Sequence, residues 1–229
     1  GLFTIYLMPQ ASSVTGEIVG AEALIRFRNQ ERKLQALPSS FIPALEDMGE
    51  ISSIDFFALS EACATVSRWQ QENRAVIPLA VNFSRRTISD KRFVERVIEV
   101  VASYQIDPSL IEIEITESAR EDDSALFRLV ADELRSNGFR VAIDDFGVEN
   151  ANFALFTQLM FNVLKIDKSL VWGLGAEKHT MKIIRGLVAL CDDLGIETVA
   201  EGIETEEQYY ALREAGCTRA QGYCIGEPQ

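Results

Sequence analysis

Histidine is nearly missing from this sequence: one residue, His179, in 229. That excludes a zinc site built from several imidazoles. Ser-His-Asp or Cys-His chemistry would rest on one side chain in the polar stretch Glu177-Lys178-His179-Thr180, which reads as a surface loop or helix start. Cysteine is sparse too. Cys63, Cys191, Cys217 and Cys224 are widely spaced and form no C-x-x-C pair, so neither a disulfide framework nor a thiolate metal site is expected, and a reducing compartment is. No apolar run reaches the roughly 18 residues that a membrane span needs. The opening Gly1-Leu2-Phe3-Thr4 has no basic leader or cleavage site and reads as the start of an excised domain. The expected location is cytoplasmic, with any membrane tether lying in a segment outside this sequence.

Positive charge is also short. Lys and Arg total 22 against 35 Asp and Glu, for a net charge of −13. Binding to DNA or RNA, which needs phosphate neutralisation by a basic surface, is excluded on this balance. An anionic small substrate remains compatible if carboxylates first collect divalent cations, which then meet its phosphates. With imidazole and thiolate removed, the ligands left are hard oxygens, and these suit Mg²⁺ or Mn²⁺.

What the sequence has is alternation. Strands are expected over Leu2–Pro9 and Gly16–Arg26, joined by a turn near Thr15-Gly16, and then at Leu79–Asn82, Ile111–Ile115, Val141–Asp144, Val163–Asp167, Glu197–Ala200 and Ala220–Tyr223. Helical periodicity falls between them. Ser89 is a candidate N-cap for a helix carrying Phe93, Val94, Val97, Ile98 and Val101. Further helices cover Leu126–Leu134, Met181–Leu194 and Glu206–Ala215, and each is followed by a glycine (Gly138, Gly195, Gly216) before the next strand. This βα alternation predicts an α/β barrel in one domain spanning 1–229. An open doubly wound sheet is the alternative, but no strand is followed by a Gly-rich phosphate loop.

The polar residues fall at strand ends. Glu22, Asn82, Glu114 (with Glu117 three residues on), Asp144-Asp145, Lys165, Glu201 and Gln221 each interrupt or end an apolar run. In a barrel the same ends of parallel strands converge on the face that holds active sites. Carboxylates gathered there would raise one another's pKa unless cations neutralised them, so a metal site is expected.

These residues lie in ordered blocks: Glu22-Ala23-Leu24 within Ile18–Arg26, Val81-Asn82-Phe83-Ser84, Glu114-Ile115-Thr116-Glu117-Ser118, Asp144-Asp145-Phe146-Gly147, Leu164-Lys165-Ile166-Asp167, Ala200-Glu201-Gly202-Ile203-Glu204-Thr205 and Gln221-Gly222-Tyr223. Together they resemble the EAL-domain family of cyclic di-GMP phosphodiesterases, from about Phe3 to Pro228. The resemblance implies a modified TIM (β/α)8 barrel with one antiparallel strand. It implies that Glu22, Asn82, Glu114 and Asp144 hold one Mg²⁺ or Mn²⁺, and that Asp144, Asp145 and Glu201 serve a second. A hydroxide formed between the two ions would open cyclic di-GMP to linear pGpG, while Ca²⁺ would inhibit.

By the same resemblance Lys165, Glu22 and Glu201 act in catalysis. Arg26, Leu24 and Gln221 contact substrate, and Glu117 braces the loop after Asp145. A homodimer and fused sensory, receiver or diguanylate cyclase modules are implied as partners. Two positions depart from the family pattern. Met8 stands where the family's first strand has glutamine, and Phe146-Gly147-Val148-Glu149-Asn150-Ala151-Asn152 replaces Phe-Gly-Thr-Gly-Tyr-Ser-Ser. A cyclic di-GMP-binding sensor of weak activity is the alternative expectation; a metabolic barrel enzyme would leave the ordered blocks unexplained.

Overall fold

A computed structural model of the chain describes residues 2–28, 34–36, 38–116, 124–147, 155–158, 160–174 and 179–229. Its strands are β1 (Phe3–Ser12), β2 (Ile18–Arg28), β3 (Leu34–Ala36), β4 (Leu79–Asn82), β5 (Ile111–Thr116), β6 (Arg140–Phe146), β7 (Val163–Ile166), β8 (Glu197–Ala200) and β9 (Arg219–Gln221). Eight of them close a barrel in the order β1-β9-β8-β7-β6-β5-β4-β2, with β2 returning to β1. From β2 through β9 the barrel neighbours run parallel. β1 is antiparallel to both of its partners, β2 and β9. This is the expected modified TIM barrel. The short β3 flanks β2 outside the closure.

The helices are α1 (Pro38–Met48), α2 (Ile51–Gln71), α3 (Arg85–Ile88), α4 (Phe93–Ser103), α5 (Ser124–Ser136), α6 (Leu155–Gln158), α7 (Lys168–Trp172), α8 (Thr180–Asp193) and α9 (Glu206–Glu214). Gly138, Gly195 and Gly216 follow α5, α8 and α9 with φ of 88°, 69° and 87°. That left-handed conformation lets a helix end and the chain turn into the next strand. Ser89 does not cap α4. Its hydroxyl donates to the Arg85 carbonyl at 2.8 Å as α3 ends. α4 instead starts after Arg92, in a turn where Asp90 accepts from the Arg92 amide. No helix is expected on periodicity between Arg26 and Leu79, yet the 21-residue α2 lies there. Its buried face is made largely of small or polar residues (Ala58, Ala62, Cys63, Thr65), which carry a weaker apolar signal than Leu or Ile would.

Strand period separates two cores. One face of β5, Ile111, Ile113 and Ile115, packs outward with Val141, Ile143, Leu164 and Ile166 against Phe93, Phe127, Leu134 and Ile184 of the helices. The other face points into the barrel, where Ala142, Val163 and Val199 form a small apolar layer. That layer divides two polar ones. At the N-terminal ends of the strands, Arg140 contacts Glu112 at 3.0 Å and Glu197 at 2.8 Å, and Arg219 reaches both carboxylates. These four charges cancel and form a floor. The opposite, C-terminal layer is the mouth.

Candidate metal centre at the barrel mouth

Each mouth residue is placed by the inward phase of its strand. Glu22 of β2, Asn82 of β4, Glu114 of β5, Asp144 of β6, Lys165 of β7 and Gln221 of β9 all point inward, and Glu201 directly follows β8. Lys165 is 1% exposed and occupies the centre. Its Nζ lies 2.8 Å from Glu114, 2.8 Å from Glu201, 3.1 Å from Asp144 and 3.5 Å from Glu22. Glu22 accepts from the Asn82 amide at 2.7 Å and from the Gln221 amide at 2.6 Å. Two carboxylate triplets result, Glu22-Glu114-Asp144 and Asp144-Asp145-Glu201, each with ligand oxygens within 4.8 Å of one another. Asp144 belongs to both.

The electrostatics are unbalanced. Five carboxylates face one ammonium, so the formal charge of the cluster is −4 when all are ionised. Burial, and then the charge of Glu22, push the Glu114 carboxyl well above its ordinary range. Glu201 is raised to about 8, by burial first and by Asp144 and Glu22 against the pull of Lys165. Asp145 is raised to about 6 by desolvation and by Asp144. Glu22 goes the other way: Lys165, Gln221 and Asn82 outweigh its burial and hold its pKa low. Burial alone would lower Lys165, but Asp144, Glu114, Glu201 and Glu22 drive it well above its ordinary value. Oε1 of the buried Glu114 has the Lys165 ammonium at 2.8 Å, while its Oε2 has no hydrogen-bond partner among the described residues. A carboxylate so desolvated and unsatisfied fits a cation ligand, and the all-oxygen donor set fits a hard one.

The backbone supports the same reading. Asp145 has φ of 58°, a left-handed conformation uncommon outside glycine and tolerated best by Asp and Asn. Its amide donates to Asp144 Oδ1 at 2.8 Å, so the adjacent carboxylates take different directions. Ile203, in the loop after Glu201, donates to the Gln221 carbonyl at 3.1 Å, and its own carbonyl accepts from Cys224. A Cβ at Gly222 would collide with the Ile203 backbone. Glycine at 222 therefore lets the loops carrying Glu201 and Gln221 lock together.

Arg26 lies on the β1–β2 rim, nearly buried, with its guanidinium 5.9 Å from the Tyr6 ring. Leu24 lines a cavity of ≈ 500 Å³ shared with Ile42, Ile54, Phe83 and Asn82. Met8 is buried and sits opposite Glu22 in the β1–β2 register. Glu117 and residues 148–152 lie outside the described residues. His179 is exposed before α8, and all four cysteines are free. Among the described residues no helix is long and apolar enough to cross a membrane.

Several interior residues are not flagged by strand-end reasoning. Glu112, Arg140, Glu197, Arg219 and Gln10 form the floor and its link upward, and Arg28, which donates to the Tyr6 hydroxyl at 2.7 Å, joins the rim. Strict alternation in Ile111-Glu112-Ile113-Glu114-Ile115 was the available signal for Glu112.

A closed (β/α) barrel with one reversed strand and a carboxylate-lined mouth around a buried lysine defines the class of protein. The chain belongs to the EAL domain family, whose model matches residues 1–228. A cyclic di-GMP phosphodiesterase of Pseudomonas aeruginosa is 30% identical over 226 residues, 99% of this chain and 38% of that protein. An uncharacterized signaling protein of Caulobacter vibrioides is 35% identical over 98% of this chain and 27% of its own length. The chain thus spans about a quarter to two fifths of these relatives. Among solved structures, the PaMucR phosphodiesterase in complex with c-di-GMP superimposes with a TM-score of 0.92 at 30% identity, covering 100% of this chain and 92% of that one. An EAL domain protein of Listeria monocytogenes gives 0.87 at 26% identity, covering 99% and 88%.

Proposed function

We propose that this domain hydrolyses cyclic di-GMP to linear pGpG with two divalent cations, Mg²⁺ or Mn²⁺. The observation that carries the reading is the pair of carboxylate triplets sharing Asp144 around Lys165, whose formal charge of −4 with all five carboxylates ionised is what two such ions would cancel. The substrate is taken from the named relatives. Glu22, Asn82, Glu114 and Asp144 would hold one ion, and Asp144, Asp145 and Glu201 the other. When bound, the ions supply Lewis-acid stabilisation of phosphoryl oxygens and a nucleophile at neutral pH.

The remaining work belongs to the chain itself. Lys165, anchored by four carboxylates, orients the attacking water and offsets charge on the phosphoryl group. Water oxygen bonds to phosphorus, the P–O3′ bond breaks, and O3′ leaves with a proton. Arg26 and Leu24 on β2 hold substrate at the rim, and Gln221 holds water or substrate beside Glu22. Glu117 braces the loop after Asp145. The domain works in the cytoplasm as one module of a longer signalling protein, and it pairs as a homodimer.

The purified domain is to be incubated with cyclic di-GMP and Mg²⁺ or Mn²⁺ while pGpG is followed. The expected outcome is product from wild type, none from Glu22→Ala, and inhibition by Ca²⁺, whose looser coordination misfits a site shaped for octahedral ions. Met8 supports a second reading. It faces Glu22 without a hydrogen-bond donor, as a domain that binds the nucleotide and signals without turnover could. Tight nucleotide binding with no pGpG would establish that reading instead.

A further inference from the structure

The geometry points to Gln10 as a positioning residue: with Arg219 beneath it, Gln10 sets which way the Gln221 amide faces, and thereby aims the Glu22 carboxylate. This rests on Glu22 as a metal ligand. Arg219 Nη1 donates to Gln10 Oε1 at 3.1 Å, Gln10 Nε2 donates to Gln221 Oε1 at 2.8 Å, and Gln221 Nε2 donates to Glu22 Oε2 at 2.6 Å. All four side chains are buried, with exposures of 6%, 1%, 6% and 6% from Arg219 to Glu22.

The direction of this relay follows from donor chemistry. A guanidinium has donors only, so Gln10 must offer it the carbonyl oxygen and turn its NH₂ upward. Gln221 must then receive with its oxygen, which leaves its own NH₂ for Glu22. A carboxylate at Glu22 can only accept, so both ends of the chain demand the same sense. Asn82 donates to the other Glu22 oxygen at 2.7 Å and completes the clamp.

Two further features agree. Gln10 pairs with Gln221 across β1–β9 and with Gly20 across β1–β2, so the strands themselves hold it in place. A Cβ on Gly20 would stand 3.0 Å from Gln10 Oε1, so glycine there leaves the amide its room. With methionine at position 8, β1 reaches the mouth network through Gln10.

Gln10→Glu keeps the shape but accepts only. It would take donors from both Arg219 and Gln221, turning the Gln221 oxygen against Glu22. Gln10→Met removes the instruction without reversing it. The measurements are Mn²⁺ affinity by electron paramagnetic resonance, kcat and KM for cyclic di-GMP, the melting temperature, and the Gln221 side-chain amide resonance in metal-free protein, assigned by its loss in Gln221→Leu. Mn²⁺ affinity is expected to fall about 10-fold or more in Gln10→Glu and by less in Gln10→Met. kcat should fall more than KM changes, and the Gln221 resonance should move in both variants.

Unchanged affinity and an unmoved resonance in Gln10→Glu would overturn the relay, as would a larger loss in Gln10→Met. If Gln10→Glu does not fold, Gln10→Met and Gly20→Ala decide it by the same resonance. Wild type that binds no Mn²⁺ would sink the metal reading, while the metal-free resonance would still decide the relay.

Discussion

Lys165 stays charged in a nearly dry interior because four carboxylates surround it, and they stay compact because it is there. Removing one partner of such a cluster leaves uncompensated buried charge. Lys165→Met is therefore expected to lower stability by about 3–5 kcal/mol in chelator, and added Mn²⁺ should restore more stability than it adds to wild type. Urea denaturation with EDTA and with Mn²⁺ checks this; equal midpoints for variant and wild type in EDTA would refute it. The raised carboxyls also set a pH dependence. In the fold Glu201 keeps its proton up to about 8 and Asp145 up to about 6, whereas their ordinary values are 4.5 and 3.8. Between those limits the native state binds more protons than the unfolded chain, so metal-free stability falls as pH rises. The low Glu22 acts only below 4.5 and the raised Lys165 only above 10.5, outside this window. Melting in EDTA at pH 6, 7 and 8 should show a steady decline, and a rise would contradict it. The residues of this cluster were legible because each interrupts or ends an apolar run. Gln10 and Arg219 were not, because their positions are explained by barrel closure, which no single strand reveals.

At the level of elements, the strands carry the site and a helix start holds the loop that follows Glu201. α9 begins five residues beyond Glu201 with a capping box: Thr205 accepts from the Gln208 amide at 3.2 Å, and Gln208 Oε1 accepts from the Thr205 amide at 3.1 Å and the Glu204 amide at 2.8 Å. Thr205→Ala is expected to cost about 1 kcal/mol, read in urea denaturation. A loss below the error of the measurement would show that the loop is held elsewhere. The Thr205-to-Gln208 spacing is local and visible in sequence. The start of α4 was misplaced because Ser89 looks like a cap, yet its hydroxyl serves the helix before it. Two competing uses of one serine cannot be told apart by periodicity.

Over the whole molecule, the barrel is polar at both ends of its interior and apolar in a thin middle layer. The floor neutralises itself with two arginines and two glutamates, whereas the mouth is left for cations to neutralise. Glu112→Gln should cost about 3 kcal/mol, since Arg140 and Arg219 both lose a buried partner. Its urea midpoint should shift by the same amount with and without Mn²⁺, while that of Lys165→Met depends on the ion. A metal-dependent shift in Glu112→Gln would mean that floor and mouth are not separate electrostatic units. The βα alternation made this architecture readable, but the floor's pairing depends on how far the strands are staggered around the barrel, which sequence spacing does not show.

The reversal of β1 has a consequence for traffic along the chain. Phe3 pairs with Phe27, at the mouth end of β2, and Gln229 exchanges backbone hydrogen bonds with Leu7 on the same strand. In an all-parallel barrel the first strand would begin at the floor, remote from the mouth. Here any module joined before Leu2 or after Gln229 enters on the side of the carboxylate-lined mouth, a short lever's length from the rim where Tyr6 meets Arg26 and Arg28. Turning one strand over puts the doorway for neighbours and the opening of the acidic mouth on the same wall.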